Sequence, residues 1–249
     1  SVNWNIAFLL DQGTVNAFIS TISSSIFDFY DSLGYERFVY TAVPADAYDL
    51  QSFLSVRFLI ESEERTDLDL YYEFSTEEGS VYVYEIPEER YLPLGFTIGQ
   101  YIKAEDFAHL SKWRRQTILP RAVVLDEDSL GQLTELGVEN RLTELTLMER
   151  MNNTDEIKAR VLQERKAGAA EECKRTRDGF SLQYSLEEDA LAYYTVPYDR
   201  GWTAYVNGVE TEIIEANGFM LLPLPEGAST VRFRYMPPGL QEGVLISLA

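Results

Sequence analysis

The C-terminal part of the chain alternates apolar and polar positions with a period of two. From Phe180 onward, turn residues interrupt this alternation about every ten residues, which is typical of short antiparallel strands. The pattern predicts six strands that together form a β-sandwich. The predicted strands are FSLQYSL, LAYYTVP, WTAYV, VETEII, FMLLPL and STVRFRYMP.

The first part of the chain mixes helical and strand patterns. Apolar residues at helical spacing predict a helix over 23–34, with a serine at its N-cap and Gly34 at its end. A second short helix is predicted over 47–54, followed by the strand SVRFLIES. LDLYYEF and SVYVYEI then flank STEEG, which predicts a hairpin with a five-residue loop.

The middle of the chain predicts two further helices. The first covers 103–119 and ends before Pro120; the strand RAVVLDED follows it. The second covers 155–167, where Asn153 and Glu156 fit a capping box. Helix and strand patterns overlap in 126–152, so no element is assigned there. In the helix over 103–119 the apolar positions expected to face inward are Phe107, Leu110, Trp113 and Ile118.

These elements predict an α+β fold. Residues 1–119 form a mixed α/β part, and residues 120–243 form an antiparallel, jelly-roll-like β-sandwich with a helix inserted at about 155–167. The apolar run in 244–249 is interpreted as the start of a truncated membrane helix. The chain begins with Ser1 and stops within this run, so we expect an excised piece of a longer protein.

The hairpin around Asn207-Gly208 is the best-specified local feature. This pair is preferred in two-residue turns whose central residues both need a positive φ. The turn fixes a register in which Val206 faces Val209, Ala204 faces Thr211, and Trp202 faces Ile213. These side chains share one apolar face, so Trp202 is expected to point toward the core and Tyr205 toward solvent.

The net charge of the chain limits the classes of molecule that it is expected to bind. The chain has 41 acidic and 21 basic residues, a formal net charge of −20. This balance disfavours binding to nucleic acid and to anionic lipid headgroups. Residues 44–90 alone hold 13 acids against three arginines. Such a run is interpreted as a solvated face, with a surface that attracts cations or a cationic partner as the alternative.

No motif for catalysis, a cofactor or a metal stands out. His109 is the only histidine, and its place in a helix favours a surface role over a catalytic triad. Cys173 is alone, so neither an intrachain disulfide nor a cysteine-based zinc site can form. The Asp-Leu-Asp run at 67–69 is too short and too common in an acidic chain to indicate a metal site. A pair of carboxylates suitable for glycoside hydrolysis stays an open alternative, because the sequence does not give the distance between two carboxylates.

Several segments resemble the YfhO-like bacterial membrane protein family. PYDRGW, YVNG, ANGF and YMPPGL follow the order of that family's C-terminal strands, turns and exit toward a membrane helix. Upstream, ISSSIFDFYDSLG, DLQSFLSVRFLI and YLPLGFTIGQYI resemble further family segments, so the likeness covers nearly the whole chain. The likeness implies the extracytoplasmic, C-terminal domain of a multi-pass cell-membrane protein.

The resemblance also implies a function. The family resembles GT-C-type glycosyltransferases, whose membrane part takes a polyprenyl-phosphate sugar and decorates cell-surface polymers such as teichoic acids. Its catalytic acid is expected in the membrane bundle, so no catalytic residue and no cofactor is assigned to this chain. The implied partners are a cell-surface glycan or polymer and the protein's own membrane-embedded part, with no nucleic acid.

The predicted role of the domain itself is to position an acceptor glycan by stacking aromatic rings on sugars. The candidate glycan-binding residues are Tyr198, Asp199, Arg200 and Tyr205. The alternative is a structural or protein-interaction module that braces the membrane part and has no glycan site. An autonomous hydrolase is a third, weaker possibility. A cluster of exposed aromatic residues beside carboxylates would favour glycan binding over bracing.

Overall fold

A computed structural model describes residues 23–36, 43, 47–77 and 79–240. The predicted start of a membrane helix at 244–249 lies outside these residues. The helices are α1 (Ser24–Ser32), α2 (Tyr48–Phe53), α3 (Ala104–Ala108), α4 (Lys112–Ile118), α5 (Glu127–Glu135), α6 (Leu147–Met151) and α7 (Asp155–Ala167), with 3₁₀ turns at Glu88–Arg90 and Glu139–Arg141.

The strands form four sheets. The first strands are β1 (Phe58–Glu61), β2 (Leu70–Thr76), β3 (Gly79–Glu85), β4 (Phe96–Ile98), β5 (Gln100–Lys103), β6 (Val123–Leu125) and β7 (Thr143–Glu144). The later ones are β8 (Glu172–Thr176), β9 (Gly179–Leu186), β10 (Ala190–Tyr194), β11 (Trp202–Val206), β12 (Val209–Thr211), β13 (Ile214–Ala216), β14 (Phe219–Leu224) and β15 (Gly227–Tyr235). The sheet orders are β1-β3-β2, β13-β14-β10-β4, β12-β11-β15-β9-β8 and the parallel β6-β5-β7.

The predicted α+β class with a β-sandwich is confirmed. The four-stranded and five-stranded sheets enclose one apolar core, to which β9, β10, β14 and β15 contribute alternate residues. Examples are Leu182, Tyr194, Leu222 and Phe233, all of which are buried. Burial of such side chains is the main favourable term in the folding of a sheet pair.

The four-stranded sheet is buried on both of its faces. Along β14, Met220 and Leu222 point into the sandwich core, whereas Phe219 and Leu221 point into a second core. That second core lies against the helices and the parallel sheet, where it includes Phe29 of α1. Burial on both faces explains why β14 reads FMLLPL, a continuous apolar run instead of an alternating one.

The sheets cross the predicted division at residues 119 and 120. β4 precedes this point and pairs with β10 of the sandwich, Leu191 opposite Ile98. β6 and β7 follow it and pair with β5, Tyr101 lying opposite both Val123 and Glu144. The division into domains therefore stays a prediction, while the sheets join residues from both sides of it.

The predicted helix over 103–119 is wrong in its length. The chain forms α3 and α4 instead, and Ser111 between them has an extended backbone with ψ near 152°. The break shifts the helical phase, so Phe107 and Ile118 are buried as predicted but Trp113 is 58% exposed. The inward orientation predicted for Trp113 is therefore wrong as well. The exposed ring of His109 donates from Nδ1 to the Glu105 carbonyl at 2.7 Å, which agrees with a surface role.

Helix α7 occupies the predicted range, but its N-cap differs by one residue. Thr154, not Asn153, caps it, because the Thr154 hydroxyl accepts from the Ile157 N–H. The unassigned segment 126–152 contains α5, β7 and α6, and of these β7 and α6 are too short to show a period of their own.

The hairpin register is confirmed next to its turn. Asn207 and Gly208 have φ of 52° and 82°, and Val206 pairs with Val209 and Ala204 with Thr211. The predicted pairing of Trp202 with Ile213 is wrong, because the chain leaves this sheet after Thr211 and enters the other one as β13. Trp202 pairs with Tyr235 instead and packs against the sandwich core, as predicted for its side chain.

Candidate functional site

The predicted loop residues Tyr198 to Arg200 form a tightly bonded turn between β10 and β11. The Asp199 carboxylate accepts from the Gly201 N–H at 2.8 Å, and the Trp202 ring N–H donates to the Pro197 carbonyl at 3.2 Å. Arg200 is exposed. The carboxylate of Asp199 therefore shapes the turn, and the guanidinium of Arg200 is the part of it that reaches solvent.

The backbone carbonyl of Tyr198 is hydrogen-bonded by residues at the start of α1. The hydroxyls of Ser23 and Ser25 each donate to its carbonyl at 2.7 Å, so Ser23 contacts Tyr198 instead of capping α1. The Tyr198 ring packs partly against the sandwich core. Partial burial, and next the carboxylate of Glu215, raise the pKa of the Tyr198 hydroxyl. This residue is thus half-buried beside an acidic neighbour.

Tyr205 lies on the outer face of the five-stranded sheet, opposite Arg232. Arg232 and Arg234 on β15 both contact the carboxylate of Asp178, Arg234 at 2.7 Å and Arg232 at 3.3 Å. The pKa of Asp178 is lowered to about 2, mainly by the hydrogen bond that Arg234 donates to its carboxylate. Tyr205 therefore borders an ion-paired surface, whereas Tyr198 packs against the core enclosed by the other face of the sheet.

Among the described residues, the largest group of exposed aromatic rings lies elsewhere, on the sheet β1-β3-β2, where Phe58, Tyr71 and Tyr72 are exposed and Phe74 is half-buried. Tyr72 pairs with Val83, Phe74 with Val81, and Phe58 with Glu85, so these side chains share one face. Tyr72 and Phe74 stack with their centroids 6.2 Å apart. We refer to Phe58, Tyr71, Tyr72 and Phe74 as the aromatic face.

A β-bulge brings Tyr71 onto this face. The register between β2 and β3 shifts between Leu70 and Tyr72, which leaves Tyr71 as the extra residue. Its ring lies 5.3 Å from that of Phe58, so Tyr71 and Tyr72 point to the same side although they are adjacent in sequence. Their side chains are 63% and 60% exposed.

Charged groups flank the aromatic face. The Arg57 guanidinium donates to the Glu85 carboxylate at 2.9 and 3.1 Å, and its carbon lies 5.0 Å from the centre of the Phe58 ring. This arrangement sets a hydrogen-bond donor and an acceptor directly beside an apolar ring. Regular alternation along LDLYYEF predicts Tyr71 and Tyr72 on opposite faces, so the sequence alone does not reveal this cluster.

The segment between β1 and β2 is closed by an ion pair. Arg65 contacts Asp67 at 2.7 Å, and both groups bond the Tyr48 hydroxyl at 3.0 Å. The hydrogen bond from Arg65 holds the pKa of Asp67 well below its usual range. Asp67, the first residue of the Asp-Leu-Asp run, therefore has a structural partner. No group of three or more potential metal-ligating side chains occurs among the described residues.

Two shallow cavities lie away from these residues. One of about 400 Å³ is lined by polar groups such as Arg141 and Asp189, which form an ion pair at 2.8 Å. The other, of about 430 Å³, lies between the 3₁₀ turn at Glu88–Arg90 and α7. Neither cavity includes the four predicted residues or the aromatic face, so the candidate binding surface is an open platform.

The comparison with known families agrees with the resemblance in the sequence. Residues 139–247 match the family model described as bacterial membrane protein YfhO. The chain therefore carries a YfhO-family region. This region contains α6, α7 and the strands β8 to β15, and it excludes the aromatic face. In the described part of the chain, no helix has the length and apolar character needed to cross a bilayer. Neither a curated protein nor a solved structure matches the chain significantly.

Proposed function

We propose that this chain is the extracytoplasmic, glycan-recognising part of a YfhO-family membrane protein of glycosyltransferase type. It holds an acceptor glycan or cell-surface polymer, while the chemistry takes place in the membrane-embedded part. The observation that carries this proposal is the aromatic face, because an exposed aromatic cluster on a folded sheet is not explained by packing.

The geometry supports sugar binding in two ways. Aromatic rings have an electron-rich face, which attracts the polarised C–H groups on one side of a pyranose ring. Tyr71 and Tyr72 present two such rings on one side of β2, and Arg57 and Glu85 offer a donor and an acceptor for sugar hydroxyls beside them. A sheet also fixes the spacing of the rings better than a loop does.

Charge favours a neutral or cationic glycan. The segment that carries the aromatic face belongs to the acidic run 44–90, and a polyanionic backbone would be repelled at this surface. Neutral polysaccharides and D-alanylated teichoic acids avoid that repulsion. Unmodified teichoic acid would need divalent cations to bridge the two sets of negative charge.

The experiment is calorimetric titration of the chain with these three polymers, comparing wild type with Tyr71→Ala/Tyr72→Ala. Both side chains are largely exposed, so the double variant is expected to keep the fold. Loss of two stacking rings is expected to weaken binding by at least about tenfold. The matched control is Tyr205→Ala, which removes a partly exposed tyrosine from a different sheet.

The two variants also separate the two candidate sites. If Tyr205→Ala weakens binding and Tyr71→Ala/Tyr72→Ala does not, the site is the one predicted around Tyr198, Asp199, Arg200 and Tyr205. Silence of the wild-type chain toward all three polymers would reject glycan recognition. The alternative function, a module that braces the membrane part, would then be preferred, and the exposed apolar residues of α6 already favour it.

A further inference from the structure

Arg165, near the end of α7, is a buried arginine without a carboxylate partner. Only 7% of the residue is exposed, yet no acidic side chain in the described part of the chain forms an ion pair with it. Its guanidinium makes one hydrogen bond there, from Nη1 to the Thr97 carbonyl at 2.6 Å. Burying a cation costs free energy unless a negative group or several acceptors surround it. The burial of Arg165 is therefore not explained by packing alone.

Two other arginines with little exposure show the usual arrangement. The guanidinium of Arg121 contacts the Glu149 carboxylate at 3.1 Å and donates to the side-chain oxygen of Gln100 at 3.3 Å. The guanidinium of Arg150 contacts two carboxylates, at 2.9 and 3.0 Å. A guanidinium does not lose its proton in a protein, so pairing is the ordinary way in which its charge is kept away from water. Arg165 departs from this arrangement.

The unpaired donors of Arg165 lie on one edge of its guanidinium. Nε is fully shielded from solvent and has no acceptor among the described residues. Nη2 has no acceptor among them either, but it is not fully shielded, so it is the atom of this edge that solvent reaches. Nε–H and one N–H of Nη2 point in the same direction, and together they match two oxygens of a carboxylate or a phosphate. The unpaired edge of Arg165 thus has the geometry that binds an oxyanion through two hydrogen bonds.

The backbone beside Arg165 is held closely against β4. The carbonyl of Gly168, just after α7, accepts from the Thr97 N–H at 2.8 Å. A Cβ on Gly168 would overlap the Thr97 hydroxyl, so the end of α7 approaches β4 too closely for a side chain at this position. The bond from Nη1 to the Thr97 carbonyl fixes the guanidinium in the same place. A group that is already fixed loses less conformational entropy when it binds a ligand.

The charges around Arg165 favour an anion. The pKa of Arg165 is lowered mainly by burial; the Glu164 carboxylate raises it, and the nearby Arg121 guanidinium lowers it. Glu164 is the preceding residue of the helix, but its carboxylate contacts Arg160, at 3.6 Å. The guanidiniums of Arg121 and Arg165 repel each other, and of the two only Arg121 has a carboxylate in contact among the described residues. An anion at Arg165 would offset both this repulsion and the cost of burial.

We propose that Arg165 is an oxyanion-binding residue, whose Nε–Nη2 edge takes a phosphate or carboxylate group of a ligand. The proposal does not rest on the proposed function, because Arg165 belongs neither to the aromatic face nor to the four predicted glycan-binding residues. The net charge of −20 acts weakly at this point, since charges more than about 8–10 Å apart are largely screened at physiological salt. Phosphate is expected to bind more tightly than acetate, because its divalent form carries twice the charge.

The test is titration of the chain with sodium phosphate and with sodium acetate, followed by the heteronuclear NMR signal of the Arg165 Nε–H. Sodium chloride keeps the ionic strength constant, so that screening does not change. The signal is expected to shift and to saturate, with a dissociation constant for phosphate in the millimolar range or below. A response to either anion supports the proposal, and the tighter of the two identifies the anionic group. A signal that stays in place in tens of millimolar of both anions would overturn the proposal and leave Arg165 a structural contact between α7 and β4.

Arg165→Lys keeps the positive charge but lacks the edge with two parallel donors. Its affinity for phosphate, measured from the rise of the thermal unfolding midpoint with phosphate concentration, is expected to be at least about tenfold weaker than that of wild type. Arg141→Lys is the matched control and should keep the wild-type affinity, because the Arg141 guanidinium already contacts the Asp189 carboxylate at 2.8 Å. Equal affinities of the two variants would contradict the proposal. If Arg165→Lys does not fold, the Nε–H titration of the wild-type chain decides by itself.

Discussion

Two turns of the chain contain an Asn-Gly pair, and the residues around each glycine determine whether that glycine could be replaced by a larger residue. Gly208 and Gly218 both have a positive φ, 82° and 85°. Nothing lies within 4 Å of the position that a Cβ would take on Gly208. A Cβ on Gly218 would overlap the Ser25 carbonyl, because α1 packs directly on the turn between β13 and β14. The Asn-Gly pair therefore tolerates substitution of its glycine better at 208 than at 218.

The two glycines make a matched pair of variants. Gly208→Ala is expected to lower the free energy of unfolding by about 1–2 kcal/mol, the cost of a left-handed conformation with a side chain. Gly218→Ala is expected to cost about 3 kcal/mol or more, because α1 must also move away from the turn. Urea unfolding followed by circular dichroism measures both. Equal midpoints for the two variants would show that α1 does not pack on this turn.

The sequence predicts the direction of a side chain correctly only where its strand pairs with the next strand through a short turn. The turn at Asn207-Gly208 sets the neighbours of Val206 and Ala204 correctly, and it turns Trp202 inward. Tyr71 differs, because a bulge reverses the side that alternation assigns to it. A bulge depends on how two strands fit together, so a pattern along one strand does not contain it.

The N-terminus of α6 is held by one titratable side chain, Glu149. The Thr146 N–H and hydroxyl hydrogen-bond the Glu149 carboxylate, and Gln100 and Arg121 add to them; together they lower its pKa from 4.5 to about 2. The folded state prefers the ionised form, so the contribution of Glu149 to α6 is complete above about pH 4.5. It is lost as the pH falls toward 2, when the carboxylate takes up a proton.

Acid is therefore expected to loosen α6 before the sandwich unfolds. Methyl NMR signals of Met148 and Met151 should shift with an apparent pKa near 2 in wild type. Glu149→Gln carries no charge at any pH, so its methyl signals should lack this step while the remaining spectrum matches wild type. An identical titration of the methyl signals in Glu149→Gln would assign the step to another group.

Elements that depend on local sequence are predicted correctly, whereas elements that depend on contacts with distant parts of the chain are not. Helix α7 and the strand β15 are found where their local patterns place them. The break at Ser111 and the crossing between β12 and β13 are not visible in the sequence pattern, because both depend on the sheets and helices that pack around them. Tertiary packing overrides local preference at such points.

At the scale of the whole molecule, the four-stranded sheet is shared by two cores. Leu221 points into the core with α1, and Leu222 points into the sandwich core. Because one strand carries both residues, neither core can lose its contacts without disturbing the other. The helical part and the sandwich are therefore expected to unfold in a single transition.

Substitution on either face of β14 tests this coupling. Leu221→Ala and Leu222→Ala are each expected to lower the free energy of unfolding by about 2–5 kcal/mol, as for other buried leucines. Both variants, made in a chain that also carries Trp4→Phe and Trp113→Phe so that Trp202 is the one remaining tryptophan, should keep one unfolding transition, with the same midpoint for the circular dichroism of the helices and for the fluorescence of Trp202. Separate midpoints for the two probes in either variant would show that the parts unfold independently.

The pairing of β4 with β10 has a consequence for how this family region can be isolated. The residues that match the family begin at 139, whereas β4 ends at Ile98. A shorter chain of residues 139–247 would leave the N–H and C=O groups along Leu191 to Tyr193 without the partners that β4 supplies. Such an open edge is a template for a strand of another molecule. The boundary of the recognisable sequence is thus not the boundary of a stable protein, and the shortened form is expected to aggregate.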